Sequence, residues 1–218
     1  MSLQRVAGAI LAGGAATRIG GEKALLPFAG STLLDAVIER VAPQVSRLTL
    51  NVPQTSAETF AERYRDYPLL FDPIPDRAGP LAGAIAGLEW LHTVPGTEWL
   101  ATFPCDTPFL PRDLVAQLMA HARQAPVFAH DGERLHGICA IWPVRCLEPL
   151  RKGVEGGQLR SLRSAMEALG GKICLIRADK RAFFNVNTRD DLACAEELAR
   201  CGAFNNAPLS PSGGEGQG

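Results

Sequence analysis

Three groups of residues in this chain carry side chains and spacing suited to phosphate chemistry. The first is Leu11-Ala-Gly-Gly-Ala-Ala-Thr-Arg-Ile-Gly-Gly-Glu-Lys23, which follows an apolar run, Val6 to Leu11, that reads as a buried strand. Glycines let backbone amides approach phosphate oxygens closely, and Arg18 and Lys23 add the charge that amides only partly supply. A glycine-rich loop after a first strand is common in α/β folds, but two cations in the same loop favour anion binding. The second group is Pro104-Cys-Asp-Thr-Pro108, which presents Asp106 on a stiff backbone at a strand end. An isolated aspartate there is more often a cap or turn residue. Opposite a loop bearing Lys23, it suits Mg²⁺, which keeps several waters and completes its shell with substrate phosphates. The third group is Asn51 and Asp72, each near the end of a predicted strand. An aspartate can accept from a ring N–H and an exocyclic amine, as guanine offers, and an asparagine serves either role; both residues also fit ordinary turns.

The elements that would hold these groups alternate strand and helix. Predicted strands lie at Val6–Leu11, Leu48–Val52, Leu69–Phe71 and Trp99–Phe103. Between them are a helix capped by Ser31 and ended by Pro43, a short helix from Ser56 through Arg65, and one opened by Pro80. A further helix opens at Pro111. This alternation predicts βαβ units, a parallel sheet and right-handed crossovers. Gly13, Asn51, Asp72 and Asp106 then share the C-terminal edge of the sheet, where open α/β sheets bind ligands. The second half is less regular. Strands are predicted at 127–129, 137–142 and 172–176, with a hairpin favoured by Asp131-Gly132. Leu147–Leu150 reads as helical, and Leu159, Leu162, Met166 and Leu169 fall on one face of a helix carrying Arg160. Phe183-Phe-Asn-Val-Asn187 leads to a final helix capped by Thr188. The expected fold is an α/β, Rossmann-like three-layer sandwich with a mostly parallel central sheet and a short antiparallel or mixed extension in the C-terminal half. One domain over 1–204 is expected, with a nucleotide-binding half of about 1–110 and an acceptor-binding half of about 111–204, followed by a disordered Pro/Ser/Gly-rich tail at 205–218.

Composition narrows the function. At 218 residues, 46% hydrophobic, 21% charged and with net charge −1, the chain has ordinary globular usage and no basic field for nucleic acid or membrane. Its cysteines, 105, 139, 146, 174, 194 and 201, form no C-x-x-C pair, so reduced thiols and a cytoplasmic location are expected. The glycines and cations after Val6 argue against a signal peptide, and no apolar run is long enough to span a membrane. There is no Walker A motif and no G-x-G-x-x-G. Of the histidines, His130 and His136 flank the Asp131-Gly132 turn and are the ones placed near a substrate; His92 and His121 sit on helices. Together the parts describe nucleotidyl transfer, with an ionised phosphate acceptor that needs no general base.

The residues resemble the bacterial molybdenum cofactor guanylyltransferases, within the nucleotidyltransferase superfamily of Rossmann-like fold. The resemblance covers about residues 6 to 200. It rests on the 11–26 segment, Gly-Pro-Leu-Ala-Gly at 79–83, Pro-Cys-Asp-Thr-Pro at 104–108, His-Asp-Gly-Glu-Arg at 130–134 and Asn-Val-Asn-Thr at 185–188. It implies transfer of GMP from GTP to the phosphate of molybdenum-molybdopterin, with release of pyrophosphate. Carried over by motif, Leu11, Ala12, Gly13, Gly14 and Lys23 would hold GTP, Asn51 and Asp72 would contact guanosine, and Asp106 would bind Mg²⁺. Arg18, Lys23 and Asp106 would be the catalytic set. Gly79, Gly83, Asn185 and Asn187 would line the molybdopterin side, with Arg160 a looser candidate for its phosphate. Two departures stand out: Glu22 precedes the signature lysine where aspartate is frequent, and Ala15-Ala16-Thr17 lacks a further basic residue. The expected partners are GTP, the molybdenum cofactor, and proteins that insert molybdenum or receive the cofactor as apo-oxidoreductases, with the chain itself a monomer or weak oligomer. The alternatives are a cytidylyltransferase acting on molybdopterin or a sugar phosphate, and a non-catalytic nucleotide- or cofactor-binding delivery protein.

Overall fold

The computed structural model describes residues 5–13, 22–74 and 79–202. The expectations for Gly14, Arg18 and the 205–218 tail lie outside these residues. β1 (Val6–Leu11) is buried at every position, as its unbroken apolar sequence requires of a strand covered on both faces. A small antiparallel pair, β2 (Pro27–Phe28) and β3 (Ser31–Thr32), leads into α1 (Leu33–Val41). Then follow β4 (Leu48–Asn51), α2 (Ala57–Arg63), β5 (Leu69–Leu70), α3 (Pro80–Trp90) and β6 (Trp99–Pro104). The second half contains α4 (Leu114–Ala120), β7 (Val127–His130), β8 (Leu135–Pro143), α5 (Leu147–Glu155), α6 (Leu162–Ala168), β9 (Lys172–Leu175) and α7 (Arg189–Arg200).

Seven strands form one sheet in the order β5-β4-β1-β6-β8-β7-β9. β5, β4, β1 and β6 run parallel, β8 is antiparallel to both β6 and β7, and β9 returns parallel to β7. The mixed extension therefore begins at β8, where the Asp131-Gly132 turn reverses the chain. Apolar side chains fill both faces. Ile10, Val37, Phe60, Phe103 and Leu118 pack on one, and Ala9, Ile85, Leu100, Trp142 and Leu150 on the other. After β1 the chain adds β4 and β5 on one side and then crosses to place β6 on the other. Open α/β sheets bind ligands in the crevice at such a reversal, which here falls beyond the carboxyl ends of β1 and β6.

Several element boundaries differ from the sequence expectation. Thr32, not Ser31, caps α1: its hydroxyl accepts from the Asp35 amide, while the Asp35 carboxylate accepts from the Thr32 amide in a closed capping box. Ser31 instead donates its hydroxyl to the Asp35 carboxylate from outside the helix. Pro111 does not open α4, which starts at Leu114, because the intervening residues form turns. Leu159 lies outside α6, whose cap is Ser161, yet it is buried against the apolar face near α5. Phe71 falls beyond β5 and is exposed. The Pro80 and Thr188 expectations agree with the structure. Pro80 occupies the first turn of α3, and Thr188 caps α7 through the Asp191 amide.

Candidate active site

The four residues assigned to the sheet edge do stand there. Gly13 comes two residues after β1, Asn51 ends β4, Asp72 comes two after β5, and Asp106 two after β6. They separate into two groups that flank the reversal between β1 and β6.

On the β4 side, Asn51 is 2% exposed and donates its side-chain amide to the Asp72 carboxylate at 3.0 Å and to the Leu70 carbonyl at 3.4 Å. Two backbone ladders set this pair: the Ala12 amide bonds the Asn51 carbonyl, and the Val52 amide bonds the Leu70 carbonyl. Protein crowding around the Asp72 carboxyl raises its pKa, and the Asn51 donation offsets part of that rise. Gly83, on the first turns of α3, faces the pair so closely that a Cβ there would lie 2.7 Å from Asn51 Oδ1 and 2.9 Å from Leu11 Cδ2. A Cβ on Gly13 would sit 3.7 Å from Asn51 Oδ1. Leu11, Ala12, Gly13, Asn51, Asp72 and Gly83 thus form one wall of the crevice. Gly83, expected on the molybdopterin side, thus stands beside the Asn51–Asp72 pair. Gly79, its partner in that assignment, precedes α3 at φ +47°, a conformation that disfavours a side chain.

On the β6 side, Lys23 Nζ lies 2.5 Å from Asp106 Oδ2, 2.7 Å from Asn187 Oδ1 and 3.4 Å from Asn185 Oδ1. The Lys23 and Asp106 side chains are each 16% exposed, so the pair is shielded but open to a ligand. Lys23 starts a single 3₁₀ turn, Lys23–Leu25, with Ala24 buried beneath it. The preceding Glu22 carboxylate accepts from the Ser56 hydroxyl and ties the loop end to the turn before α2. Asp106 accepts from the Thr107 hydroxyl at 3.2 Å. Val186 is fully buried and its amide donates to the Asp106 carbonyl at 2.9 Å. In extended backbone, residues either side of a buried one point the same way, and that brings Asn185 and Asn187 together on Lys23. The Asn187 amide in turn bonds the Asp191 carboxylate of the α7 cap.

Asp106 is an acceptor at the crevice, flanked by an ammonium and two amides. Among the described residues no three His, Cys, Asp or Glu side chains gather to hold a metal by themselves. A single carboxylate of this kind fits Mg²⁺ bound together with substrate phosphates, since that ion retains waters and takes few protein ligands. Arg160, by contrast, is used locally: its Nε donates to the Gly157 carbonyl in the turn before α6. No sequence signal singled out Ser56, Thr107 or Phe183 for the site, whereas His136 was expected near a substrate. His136 Nε2 lies 2.7 Å from Asp131 Oδ2, and its ring stacks on Phe183 at 4.0 Å and 12°. His130 instead accepts the Gly132 amide at Nδ1 within its own turn.

A sequence profile of the MobA-like NTP transferase domain matches residues 8–176. The chain belongs to this family. It is 37% identical over 203 residues to a molybdenum cofactor guanylyltransferase of Mesorhizobium japonicum, covering 88% of this chain and 95% of that one. It is 39% identical over 197 residues to one of Cereibacter sphaeroides, covering 90% and 98%. Among solved structures, molybdopterin-guanine dinucleotide biosynthesis protein A from Archaeoglobus fulgidus superposes with a TM-score of 0.73 at 23% identity, over 89% of this chain and 99% of that one. The 4-diphosphocytidyl-2C-methyl-D-erythritol synthase of Anaerococcus prevotii has the same fold, with a TM-score of 0.68 at 11% identity, over 91% and 97%. These likenesses show a shared fold, and a fold by itself does not fix the chemistry of the site it carries.

Proposed function

We propose that the protein is a molybdenum cofactor guanylyltransferase. It transfers GMP from GTP to the terminal phosphate of molybdenum-molybdopterin and releases pyrophosphate. The observation that carries the reading is the convergence of Lys23, Asp106, Asn185 and Asn187 beyond the carboxyl ends of β1 and β6. Near neutral pH the acceptor phosphate is already ionised, so its oxygen attacks the α-phosphorus without a general base. A new P–O bond forms as the bond to the leaving pyrophosphate breaks, and the electron pair departs with pyrophosphate. Lys23 places a fixed positive charge where negative charge accumulates. The 11–14 segment, with Arg18, cradles the triphosphate by backbone amides and charge. Asn51 and Asp72 read the guanine edge, the carboxylate accepting from N1–H and the 2-amine. Asn185 and Asn187 orient the acceptor phosphate while holding the Lys23 ammonium.

Asp106 would hold Mg²⁺ together with phosphate oxygens. When bound, that ion neutralises charge on the transferring phosphoryl group and the leaving pyrophosphate. GTP and the molybdenum cofactor are the substrates, and passage of the product to apo-oxidoreductases belongs to the same reading. No helix among the described residues is long and apolar enough to cross a membrane. The six cysteines are all free thiols, in keeping with a reducing cytoplasm.

The deciding measurement is pyrophosphate release from GTP, CTP and ATP, each with molybdenum cofactor as acceptor. GTP should exceed the others. CTP outrunning GTP would replace this reading with a cytidylyltransferase, and no turnover with any nucleotide would leave a binding protein.

A further inference from the structure

A small cavity of about 180 Å³ lies beside Asp106, on the side away from Asn51 and Asp72. It opens between the end of β6 and the start of β8 and is lined by Thr107, His136, Gly137, Cys139, Phe183 and Asn185. Of these residues, Asn185 alone has a role in the nucleotidyl transfer described above. Its volume is below that of clefts enclosing a whole drug-sized ligand, so it suits one flat ring system rather than a nucleotide. Its inner wall is the parallel stack of His136 on Phe183, with the His136 side chain only 15% exposed. Asp131 fixes the ring by bonding Nε2 at 2.7 Å. Burial works against ionisation of Asp131, but the Arg134 and Glu133 amides and the His136 ring outweigh it and hold the carboxyl well below the usual range. It therefore accepts, and His136 Nε2 donates. Cys139 is buried, and that burial pushes its thiol up so that it stays neutral. Among the described residues, no lysine or arginine lines the cavity. It is thus unsuited to a phosphate and suited to an uncharged heterocycle with polar edges, which Thr107 and Asn185 can meet.

We infer that this slot seats the pterin ring of the acceptor, with His136 and Phe183 as its aromatic wall and Asp131 as the residue that positions His136. The inference rests on the guanylyltransferase reading. Asn185 belongs to both the slot and the Lys23 cluster, so a ring in the slot has its phosphate arm directed at Lys23. Guanine on the β4 side and pterin on the β8 side then flank the reacting phosphates, matching a product with two heterocycles.

The test is steady-state turnover with molybdenum cofactor and GTP for Phe183→Leu and His136→Asn. Each should raise the acceptor KM at least tenfold while the GTP KM moves less than twofold. On the unaltered enzyme, free 6-carboxypterin should compete with the acceptor and not with GTP. An unchanged acceptor KM in the variants, an equal rise in the GTP KM, or pterin that fails to compete with the acceptor would each overturn the slot assignment. Absence of turnover by the unaltered enzyme would instead overturn the guanylyltransferase reading itself.

Discussion

The ammonium of Lys23 and the carboxylate of Asp106 meet at 2.5 Å across 83 positions of sequence. The carboxylate proposed to take a divalent ion is therefore already satisfied by a cation of the protein. A divalent ion at Asp106 would have to share that carboxylate with the Lys23 ammonium. Lys23→Ala should tighten Mn²⁺ binding to the nucleotide-free protein several-fold, read by isothermal titration calorimetry. The same substitution should lower kcat by about 10²–10³-fold, the loss typical of removing one preorganised hydrogen-bond donor to transition-state charge. Unaltered Mn²⁺ affinity would rule out that sharing.

Asp106→Asn keeps the shape of the side chain and removes its charge. Turnover should be lost at every Mg²⁺ concentration, while circular dichroism stays that of the unaltered protein. Activity restored by excess Mg²⁺ would mean that another group supplies the metal ligand.

Two glycines one turn apart on α3 should respond differently to alanine. At Gly83 the new methyl meets Asn51 Oδ1 at 2.7 Å, so the GTP KM should rise about tenfold, one badly met polar contact being worth roughly 1–3 kcal/mol. At Gly87 the methyl meets Leu100 Cδ2 at 2.7 Å in the core. Overpacking there should cost about 1–3 kcal/mol of stability in urea unfolding, with little effect on the GTP KM. Equal effects of the two on GTP binding would argue against Gly83 facing the base.

Asp72 takes up a proton at higher pH than an ordinary aspartate, because the protein crowds its carboxyl. Only the ionised form accepts from both guanine donors. The GTP KM should therefore rise on acidification, and the rise should set in at a higher pH than an ordinary aspartate would give. In Asp72→Asn the KM should be high throughout and this acid limb should flatten. A limb that persists in the variant would assign the titration elsewhere.

Asp35 gives a stability prediction independent of catalysis. Burial opposes its ionisation, but donors from Ser31, Arg63 and Thr32 bring its pKa down to about 2. A depressed folded-state value stabilises the fold above the unfolded pKa and loses that contribution as pH falls through the folded one. Asp35→Asn should therefore cost about 1–2 kcal/mol at pH 7, allowing for solvent screening. That difference should vanish between about pH 4 and pH 2. A pH-independent difference in chemical denaturation would contradict the assignment.

The parallel half of the fold was legible because β1, β4 and β6 are short apolar runs that end in turn-forming residues, and because Pro80 and Thr188 mark helix starts by simple chemistry. The placement of Asn51, Asp72 and Asp106 followed from strand ends alone. What sequence could not show was pairing across distance. Gly83 was grouped with the acceptor, since nothing local indicates that it faces Asn51 on another element. Phe183 read as part of an apolar-to-polar stretch, and only the hairpin brings His136 against it. Ser31 and Thr32 offer the same hydroxyl to a helix start, and the choice depended on which one the Asp35 carboxylate could bond in return.

The family match ends at residue 176, just past β9, whereas the Val186 amide is bonded to the Asp106 carbonyl ten residues later. A protein trimmed at that boundary would retain all seven strands of the sheet and the residues proposed to read guanine. It would lose Asn185 and Asn187, and Lys23 would keep only Asp106 as a side-chain partner within this cluster. It would also uncover Phe28, Leu33 and Phe109, which pack against Val186 and Ala195. The segment past the family match thus serves the core and the Lys23 cluster at once.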